Sequence, residues 1–416
     1  MGERFGSVCI AGIGYIGLPT AVALATRGVR VLGYDISERT VQAVNDRRSP
    51  IVEPDLAAEL AGVVSSGALR ASTQPEPADA FIIAVPTPFG PDHEPDLAAA
   101  RAATTSIAPV LAKGALVIVE STCPPGTTEA LSGWLGELRP DLRMPHEHPD
   151  DPDVNIAYCP ERVLPGRIMV ELVSNDRTVG GITPRCAQRA KELYEVFCEG
   201  EIFTTNARTA EMVKLSENAF RDVNIAFANE LSLVCDALGV DVWEVIGLAN
   251  RHPRVSVLSP GPGVGGHCIA VDPWFIIDAA PAQSRLMRTA REVNDGKPAW
   301  VVDQVMGAAA AFAKPVVACL GLAFKPDVDD LRESPAVEIV HRLAQAGVGT
   351  LLVVEPHVEA LPAVLADRDD VRLVSLDEAL AAADVVVNLV DHSAFRALPR
   401  ERLADKQVVD TRGTWR

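Results

Sequence analysis

Val8-Cys9-Ile10-Ala11-Gly12-Ile13-Gly14-Tyr15-Ile16-Gly17 lies near the N-terminus and leads an apolar run into a glycine-rich turn. The run from Val8 to Ala11 is short and wholly apolar, which predicts a buried strand. Residues 20–26 are rich in alanine and predict a helix. A G-x-G-x-x-G turn between a strand and a helix is the context that a dinucleotide-binding fingerprint requires.

Each glycine of this turn has a separate task. Gly12 permits the tight turn, Gly14 lets a pyrophosphate approach the backbone, and Gly17 lets the helix pack closely. The helix N-terminus then faces the phosphates. A second strand, residues 29–34, ends in Asp35, which follows Gly12 by 23 residues. A carboxylate there holds a ribose diol and repels a 2′-phosphate, so the sequence predicts NAD.

Further strands are predicted at residues 80–85 and 115–120, with helical segments between them. Strands that alternate with helices predict an α/β fold with a parallel, doubly wound sheet. A second α/β block begins near residue 315, and its strands at 316–320, 351–354 and 385–390 repeat the first pattern. The second block lacks G-x-G-x-x-G, which indicates a different nucleotide.

The size and composition predict a soluble globular protein of two or three domains. The chain has 416 residues, of which 48% are hydrophobic and 23% charged. No apolar run reaches membrane-spanning length, and the first fifteen residues lack a signal-peptide pattern. We therefore expect a cytoplasmic protein.

The formal net charge of −18 argues against general affinity for nucleic acid. An anionic substrate then needs local basic residues. Eight cysteines occur without a C-x-x-C pair, so neither a zinc ribbon nor a disulfide framework is expected, and most should be buried. Residues 139–155 predict a surface loop whose histidines and aspartates match no metal-site spacing, so no metal is expected: His146, His148, Asp150 and Asp151.

Residues 207–238 contain neither proline nor glycine and predict an unusually long helix, a connector that also offers a dimer surface. Lys214, Asn218 and Arg221 stand at i, i+4 and i+7, on one face of that helix. Such a face is either a solvated polar stripe or part of a site. Lys297-Pro298 predicts the end of the middle region.

A glycine-rich loop near the middle of the chain reads Gly261-Pro262-Gly263-Val264-Gly265-Gly266-His267-Cys268-Ile269-Ala270-Val271-Asp272-Pro273. Glycines let a loop press a side chain closely against a ligand. Cys268 is either a nucleophile, with a pKa that His267 could lower, or a buried thiol. Asp272 is a candidate base.

Two further polar clusters allow both a functional and an ordinary turn interpretation. Glu120-Ser121-Thr122 follows a predicted strand on the cofactor side. Pro160-Glu161-Arg162-Val163-Leu164-Pro165-Gly166 places a carboxylate and an arginine in a constrained loop.

Taken in order, these motifs resemble the UDP-glucose/GDP-mannose dehydrogenase family over nearly the whole chain. The resemblance includes the stretches G-I-G-Y-I-G-L-P at 12–19, Val85-Pro86-Thr87-Pro88, residues 155–166, Gly321-Leu322-Ala323-Phe324-Lys325-Pro326 and Asp330-Leu331-Arg332-Glu333-Ser334-Pro335. It implies two Rossmann-like doubly wound domains joined by a long central helix, in a homodimer. The implied domains are an NAD-binding domain at 1–205, a central dimerisation region with the cysteine loop at 206–298, and a UDP-sugar-binding domain at 299–416.

Within the family, residues 250–255 and 268–275 resemble the branch that acts on UDP-N-acetyl-D-mannosamine. Val271 stands where enzymes that act on UDP-glucose usually carry a lysine. The alternatives are the same chemistry on UDP-N-acetylglucosamine or another UDP-hexose, a two-electron hydroxyacid dehydrogenase, and a nucleotide sensor without catalysis.

The resemblance implies a four-electron oxidation at C6 of the sugar, with Cys268 forming first a thiohemiacetal and then a thioester. Asp272 and Lys214 would transfer the first proton, and Lys214 and Asn218 would stabilise the oxyanion. Glu161 would be the base for hydrolysis, with Thr122 positioning the water.

Other residues are expected to bind the two nucleotides. The expected cofactor contacts are Gly12, Gly14, Tyr15, Ile16, Gly17, Asp35, Thr87, Thr122 and Arg332. The expected substrate contacts are Glu161, Arg162, Val163, Leu164, Lys214, Asn218, Arg221, Arg251, His252, Arg254, Gly265, Lys325 and Arg412, with Arg251, His252 and Arg254 acting from the same or a neighbouring subunit.

Overall fold

A computed structural model describes residues 5–51, 53–90, 92–164, 166–266 and 268–416. The chain forms two compact units. The first extends to Glu217 and includes Trp274–Ala280, and the second comprises Asn218–Pro273 and Pro281–Arg416. His267 and Pro165, which belong to two of the predicted functional loops, lie outside the described residues.

The first unit is built on a sheet in the order β3-β2-β1-β4-β5-β6-β7-β8. Its pairings are parallel except that β6 and β7 run antiparallel. The strands are β1 (Ser7–Ala11), β2 (Arg30–Tyr34), β3 (Leu69–Ser72), β4 (Ala80–Ile83), β5 (Leu116–Val119), β6 (Asn155–Tyr158), β7 (Arg177–Gly181) and β8 (Ile202–Asn206).

Helices cover both faces of this sheet. They are α1 (Gly17–Thr26), α2 (Glu38–Asn45), α3 (Leu56–Ser65), α4 (Ala98–Ile107), α5 (Thr127–Leu138), α6 (Ile168–Ser174) and α7 (Pro184–Tyr194), with a 3-10 turn at Ala108–Val110. Val8 and Ile10 of β1 belong to one core layer, and Cys9 and Ala11 belong to the other. A strand that is covered on both faces needs a continuous apolar run, so the predicted buried strand is confirmed.

The long helix is confirmed as α8 (Ala207–Leu238), with 32 residues. It is followed by α9 (Val242–Ala249), α10 (Asp272–Ala279) and α11 (Arg285–Ala309). The predicted end of the middle region at Lys297-Pro298 lies within α11, which continues through both residues. Both are buried, and Lys297 Nζ donates to Ser232 Oγ at 2.6 Å. Packing of this kind offsets the backbone hydrogen bond that the proline cannot make.

The second unit carries a parallel sheet in the order β11-β10-β9-β12-β13. Its elements are β9 (Val316–Leu320), α12 (Pro335–Gln345), β10 (Thr350–Val354), α13 (Ala363–Ala366), β11 (Val371–Leu373), α14 (Leu376–Ala382), β12 (Val385–Asn388), α15 (Ser393–Arg396), a 3-10 turn at Arg400–Leu403, and β13 (Gln407–Asp410). The order repeats β3-β2-β1-β4-β5 of the first sheet. The predicted repeat of the α/β pattern is therefore confirmed.

Residues 139–154 lie outside helices and strands, as predicted for a surface loop. Six of the eight cysteines are buried, and Cys198 and Cys268 are half-buried. Among the described residues, none of the helices combines the length and the apolar character needed to cross a membrane.

Candidate active site

The glycine turn after β1 has the shape that a pyrophosphate requires. Gly12 has a φ of +89°, and a Cβ on it would lie 2.6 Å from Ala84 O. A Cβ on Gly17 would lie 1.9 Å from Gly12 O. Gly14, in contrast, is exposed and faces open space. Two glycines thus allow the turn to form, and the third leaves room for a phosphate, so these residues fit a dinucleotide.

Asp35 lies directly after β2 and is fixed against this turn. Its Oδ2 accepts a hydrogen bond from Ile13 N at 3.1 Å, and its Oδ1 accepts one from Ser37 N at 2.9 Å. The half-buried Tyr15 of the turn donates its hydroxyl to Glu53 at 3.5 Å, beside the half-buried Ile16.

The loops after β4 and β5 meet at the same edge of the sheet. Thr87 Oγ1 donates to the carbonyl oxygen of Thr122, and Ser121 Oγ donates to Val85 O at 2.7 Å. Because β4 and β5 follow β1 in the sheet, both loops lie at the carboxyl ends of neighbouring strands. Ligands of doubly wound sheets bind at this edge.

Glu161 is fixed by two donors. Its Oε1 accepts from Arg162 N at 2.7 Å, and its Oε2 accepts from Arg177 Nη2 at 3.1 Å. The side chains of Glu161 and Arg177 are 7% and 4% exposed. Sequence reasoning missed Arg177, because it lies on β7 and only the fold brings it to Glu161.

The rest of this loop is held from both ends. Arg162 Nη1 donates to Glu217 at 2.6 Å, and the backbone N–H of the exposed Leu164 donates to Glu171 at 2.9 Å. The buried carboxylate of Glu53 accepts from Gly166 N at 2.9 Å and from Ile168 N at 2.7 Å. Glu53 was also missed by sequence reasoning, and it connects the glycine turn to the loop that includes the half-buried Val163.

In the second unit, Cys268 is half-buried and lies one helical turn before α10. Its carbonyl oxygen accepts from Asp272 N at 2.8 Å. Asp272 is 2% exposed, and its Oδ2 accepts from Asn218 Nδ2 at 2.5 Å. The structure therefore brings Asn218 to Asp272 of the cysteine loop, although these two residues are 54 positions apart in sequence.

The glycines of the cysteine loop permit close packing against the segment that contains Arg332. Gly266 N donates to Arg332 O at 3.2 Å. A Cβ on Gly265 would lie 2.4 Å from Glu333 O, and one on Gly266 would lie 2.9 Å from the Phe324 ring. Neither position tolerates a side chain without a shift of this segment.

Buried amides anchor the start of the same loop. Asn229 Oδ1 accepts from Gly261 N at 2.8 Å, and its Nδ2 donates to Asn294 at 2.8 Å. Asn294 donates in turn to Asp222 Oδ1 at 2.8 Å. These residues of α8 and α11 hold the loop by its first residue.

The remaining predicted basic residues differ in exposure. On α8, Lys214 is buried and Arg221 is exposed, so the predicted face is not a uniformly solvated stripe. Arg412 donates to Asp391 at 2.9 Å, and the exposed Arg332 forms an ion pair with Asp330 at 2.6 Å. Lys325 is half-buried, and three exposed residues follow α9: Arg251, His252 and Arg254.

An acidic residue, Glu355, follows β10 of the second sheet, and its hydrogen-bond donors differ from those of Asp35. Glu355 Oε2 accepts from Leu322 N at 2.7 Å and from Ala323 N at 3.0 Å, and lies 3.0 Å from His392 Nε2. Burial acts to raise the pKa of Glu355, but these donors outweigh it and lower the pKa. The backbone amides of the turn after β9 are thus bound to an internal carboxylate.

His392 also belongs to a cluster of metal-binding residue types. Asp327, His357 and His392 bring one ligand atom each to within 4.8 Å of one another. However, His392 Nδ1 accepts a hydrogen bond from Asp327 N at 2.9 Å, which engages the lone pair that a metal ion would need.

Three domain models of the UDP-glucose/GDP-mannose dehydrogenase family match the chain. The NAD binding domain matches residues 6–198, the central domain 208–296 and the UDP binding domain 318–416. The first match confirms the prediction of NAD as the cofactor.

Similar proteins cover nearly the whole chain. NDP-N-acetyl-D-galactosaminuronic acid dehydrogenase of Ralstonia solanacearum is 59% identical over 99% of this chain and 96% of its own length. UDP-N-acetyl-D-mannosamine dehydrogenase of Escherichia coli K12 is 58% identical over 99% of this chain and 100% of its own. The solved structure of a UDP-D-ManNAc dehydrogenase from Pyrococcus horikoshii has a TM-score of 0.88 at 38% identity, covering 99% of this chain and 96% of its own.

Proposed function

Because the chain belongs to the UDP-glucose/GDP-mannose dehydrogenase family, we propose that it oxidises UDP-N-acetyl-D-mannosamine at C6 to the uronate. The relative from E. coli bears the name of that activity at 58% identity. The observation that carries the proposal is the half-buried Cys268 in a glycine loop, four residues before Asp272, whose carboxylate accepts a hydrogen bond from Asn218.

The first oxidation requires that the C6 hydroxyl lose a proton as its hydride leaves. Asp272 and Lys214, through a water molecule, are the proposed acceptors of that proton. NAD, when bound, accepts the hydride of each of the two oxidations. Asp272 is buried and held by Asn218, so its carboxylate is fixed in orientation before the substrate arrives.

The second oxidation starts with the thiol. Cys268 Sγ adds to the C6 aldehyde and gives a thiohemiacetal, which loses its hydride and becomes a thioester. Lys214 and Asn218 stabilise the oxyanion of the tetrahedral species. One amide hydrogen of Asn218 binds Asp272, and the second remains available for this task.

Hydrolysis completes the reaction. Glu161 takes a proton from a water that Thr122 positions, the hydroxide adds to the thioester carbon, and the bond to Cys268 breaks. The overall balance is one UDP-sugar, two NAD and one water in, and one uronate, two NADH and three protons out.

The other residue assignments belong to the same proposal. The fingerprint residues with Asp35, Thr87, Thr122 and Arg332 contact NAD, and the loop from Glu161 to Leu164 contacts the UDP-sugar. The basic residues at 221, 251, 252, 254, 325 and 412 offset the net charge of −18 near the diphosphate. The proposed domain limits remain 1–205, 206–298 and 299–416, and the three matched ranges support them.

We also propose a homodimer formed through α8. Four large apolar side chains on this helix are exposed, between 47% and 72%: Phe220, Phe227, Val234 and Leu238. Their spacing of seven, seven and four residues places them on one face. An exposed apolar stripe of this length on a helix indicates a protein partner. In a two-fold symmetric dimer, the stripe of one copy packs against the same stripe of the other.

A cytoplasmic location follows from the proposed chemistry. A catalytic thiol requires a reducing compartment, and the cytoplasm also supplies NAD and UDP-sugars.

The decisive experiment is the number of NADH formed per UDP-sugar consumed. We expect two with UDP-N-acetylmannosamine and far slower turnover with UDP-N-acetylglucosamine, UDP-N-acetylgalactosamine and UDP-glucose. Two NADH with another sugar keeps the chemistry and changes the substrate, and the name of the Ralstonia relative makes the galacto sugar the first alternative. One NADH per sugar contradicts the thioester route.

Cys268→Ala tests the nucleophile directly. We expect acid formation to fall by about 10³-fold or more, because the aldehyde then has no thiol partner. Cys198→Ala is the matched control, since Cys198 is the other half-buried cysteine. Equal activity of both variants would exclude a covalent role for Cys268.

A further inference from the structure

Glu120 is a buried carboxyl group that the proposed reaction does not use. It follows β5 and is 2% exposed. Thr20 Oγ1 donates to its Oε2 at 3.2 Å, and Tyr194 OH donates to its Oε1 at 3.1 Å. Burying a carboxyl group costs desolvation free energy, even where two hydroxyl groups donate hydrogen bonds to it. A role for the buried Glu120 is therefore expected.

Arg177 connects this carboxyl group to the proposed hydrolytic base. Its guanidinium lies 4.8 Å from the centre of the Tyr194 ring, and its Nη2 lies 3.1 Å from Glu161 Oε2. Nη2 also donates to Leu172 O at 3.1 Å. Arg177 is 3% exposed, and both Glu120 and Glu161 act electrostatically on it. Water screens these charges poorly because the cluster is buried.

The pKa of Glu120 is raised well above that of an ordinary carboxyl group. Burial, and then the charge of Glu161, raise its pKa to about 8, although Arg177 opposes the shift. Cys159 and Tyr194, which also belong to this cluster, stay uncharged at this pH, since burial raises the pKa of Cys159 to about 12 and that of Tyr194 well above its usual value. Thr20 does not titrate. Glu120 is therefore the member of this cluster that ionises near pH 8.

The charge of Glu120 decides how Arg177 acts on Glu161. When Glu120 is protonated, the guanidinium of Arg177 acts on one charged carboxylate, that of Glu161. When Glu120 ionises, a second negative charge acts on Arg177 and on Glu161, and it partly offsets the positive field of Arg177 at Glu161.

We propose that Glu120 is a positioning residue for thioester hydrolysis, and that its ionisation, acting through Arg177, strengthens Glu161 as the base that accepts a proton from water. The proposal rests on the role of Glu161 in the proposed function. It adds no atom to the reaction: water loses a proton to Glu161, hydroxide adds to the thioester carbon, and the thiolate of Cys268 leaves.

Glu120→Gln tests the proposal through the pH dependence of turnover. The variant carries a neutral side chain of the same size at every pH. We expect its steady-state rate to be within about 1.5-fold of the native rate at pH 6.5 and at least about threefold lower at pH 9, because proton transfer follows the strength of the base. The first-turnover burst of two NADH per site should remain, since hydrolysis follows both oxidations.

The matched control is Glu211→Gln. Glu211 is also buried with a pKa that burial raises, and it binds Gly126 N and Thr128 N at the start of α5. We expect the ratio of its rate to the native rate to be independent of pH. If the ratio for Glu120→Gln is equally flat, or if the burst disappears with the steady-state rate, the proposal is wrong.

Tyr194→Phe provides a second test that keeps the carboxyl group. It removes a donor to Glu120 and retains the ring beside Arg177. Loss of a donor to the ionised form raises the pKa of Glu120, so the alkaline rise in rate should move upward by about half a pH unit or more. An unmoved profile overturns the proposal. Glu161→Gln tests the proposed function separately from the role of Glu120. Loss of turnover with a retained burst supports Glu161 as the base for hydrolysis, whatever the result for Glu120→Gln.

Discussion

Lys297 is a buried cation whose surroundings set its behaviour. It is 2% exposed, and its Nζ lies 3.6 Å from the centre of the Trp300 ring and 2.6 Å from Ser232 Oγ. Burial lowers its pKa from 10.5 to about 8. The folded protein therefore releases this proton before the unfolded chain does, and this residue makes the protein more stable as the pH rises from 8 to 10.5.

Replacing Lys297 by methionine should stabilise the protein near neutral pH. The apolar chain of similar length has no charge to desolvate, and Ser232 Oγ keeps its bond to Asn229 O at 2.6 Å. We expect a gain of about 1 kcal/mol at pH 7 that shrinks towards pH 10. Thermal unfolding at both pH values measures it, with the exposed Lys314→Met as control. A gain that grows with pH would contradict the buried charge.

The structural position of a residue could be predicted from the sequence where a local motif determines it. Gly12, Gly17 and Asp35 belong to one such pattern, and the glycines of the cysteine loop belong to another. Arg177 and Glu53 could not be predicted, because each contacts a loop that is distant in sequence. His267, which sequence reasoning placed beside Cys268, lies outside the described residues.

Two long helices share a buried polar network. Arg291 of α11 and Asp222 of α8 are 2% and 1% exposed in their side chains, and Arg291 Nη1 donates to Asp222 Oδ1 at 2.6 Å. Asn294 and Asn229 extend the network to Gly261 at the start of the cysteine loop. The contact between the helices and the position of the loop therefore depend on the same hydrogen bonds.

Arg291→Met should be strongly destabilising, by about 3–5 kcal/mol, because it leaves the carboxylate of Asp222 buried without its cation. The exposed pair of Arg342 and Glu338 offers the control, and Arg342→Met should cost less than about 0.5 kcal/mol. Denaturant unfolding of both variants gives the comparison. The double variant Asp222→Leu with Arg291→Met should recover much of the loss, and failure to do so would assign the cost to packing instead.

The two long helices differ in how well they could be predicted. Helix α8 has neither proline nor glycine, so its length is evident in the sequence. Helix α11 contains Gly296 and Pro298, which usually end a helix. It continues because Ala290, Arg291, Asn294, Lys297 and Val301 are buried, and that tertiary packing has no local signal.

At the level of the whole molecule, the dimer proposal makes a direct prediction. Phe227→Asp places a charge at the middle of the exposed stripe on α8, where Phe227 is 56% exposed. We expect the variant to sediment as a monomer, because a buried unpaired carboxylate costs several kcal/mol. Val364→Asp, at a site 46% exposed on α13, should leave the mass unchanged. A native protein that sediments as a monomer would contradict the proposal.

The repeat of the strand pattern could be predicted from the sequence, in part because both halves place an acid at the end of their second strand: Asp35 and Glu355. The sequence did not predict that the two acids accept hydrogen bonds from different donors. Asp35 accepts from one amide of its turn, Ile13 N, and also from Ser37 N. Glu355 accepts from two turn amides, Leu322 N and Ala323 N, and from His392. The longer side chain and the histidine explain the difference, and both are tertiary details.

The bonds of Glu355 have a consequence for ligand competition. A dinucleotide that tried to enter the second sheet as it enters the first would have to displace a buried carboxylate from the amides of Leu322 and Ala323. Its phosphates would also meet the negative charge of that carboxylate. An excess of NAD therefore should not occupy the turn after β9 in the second sheet.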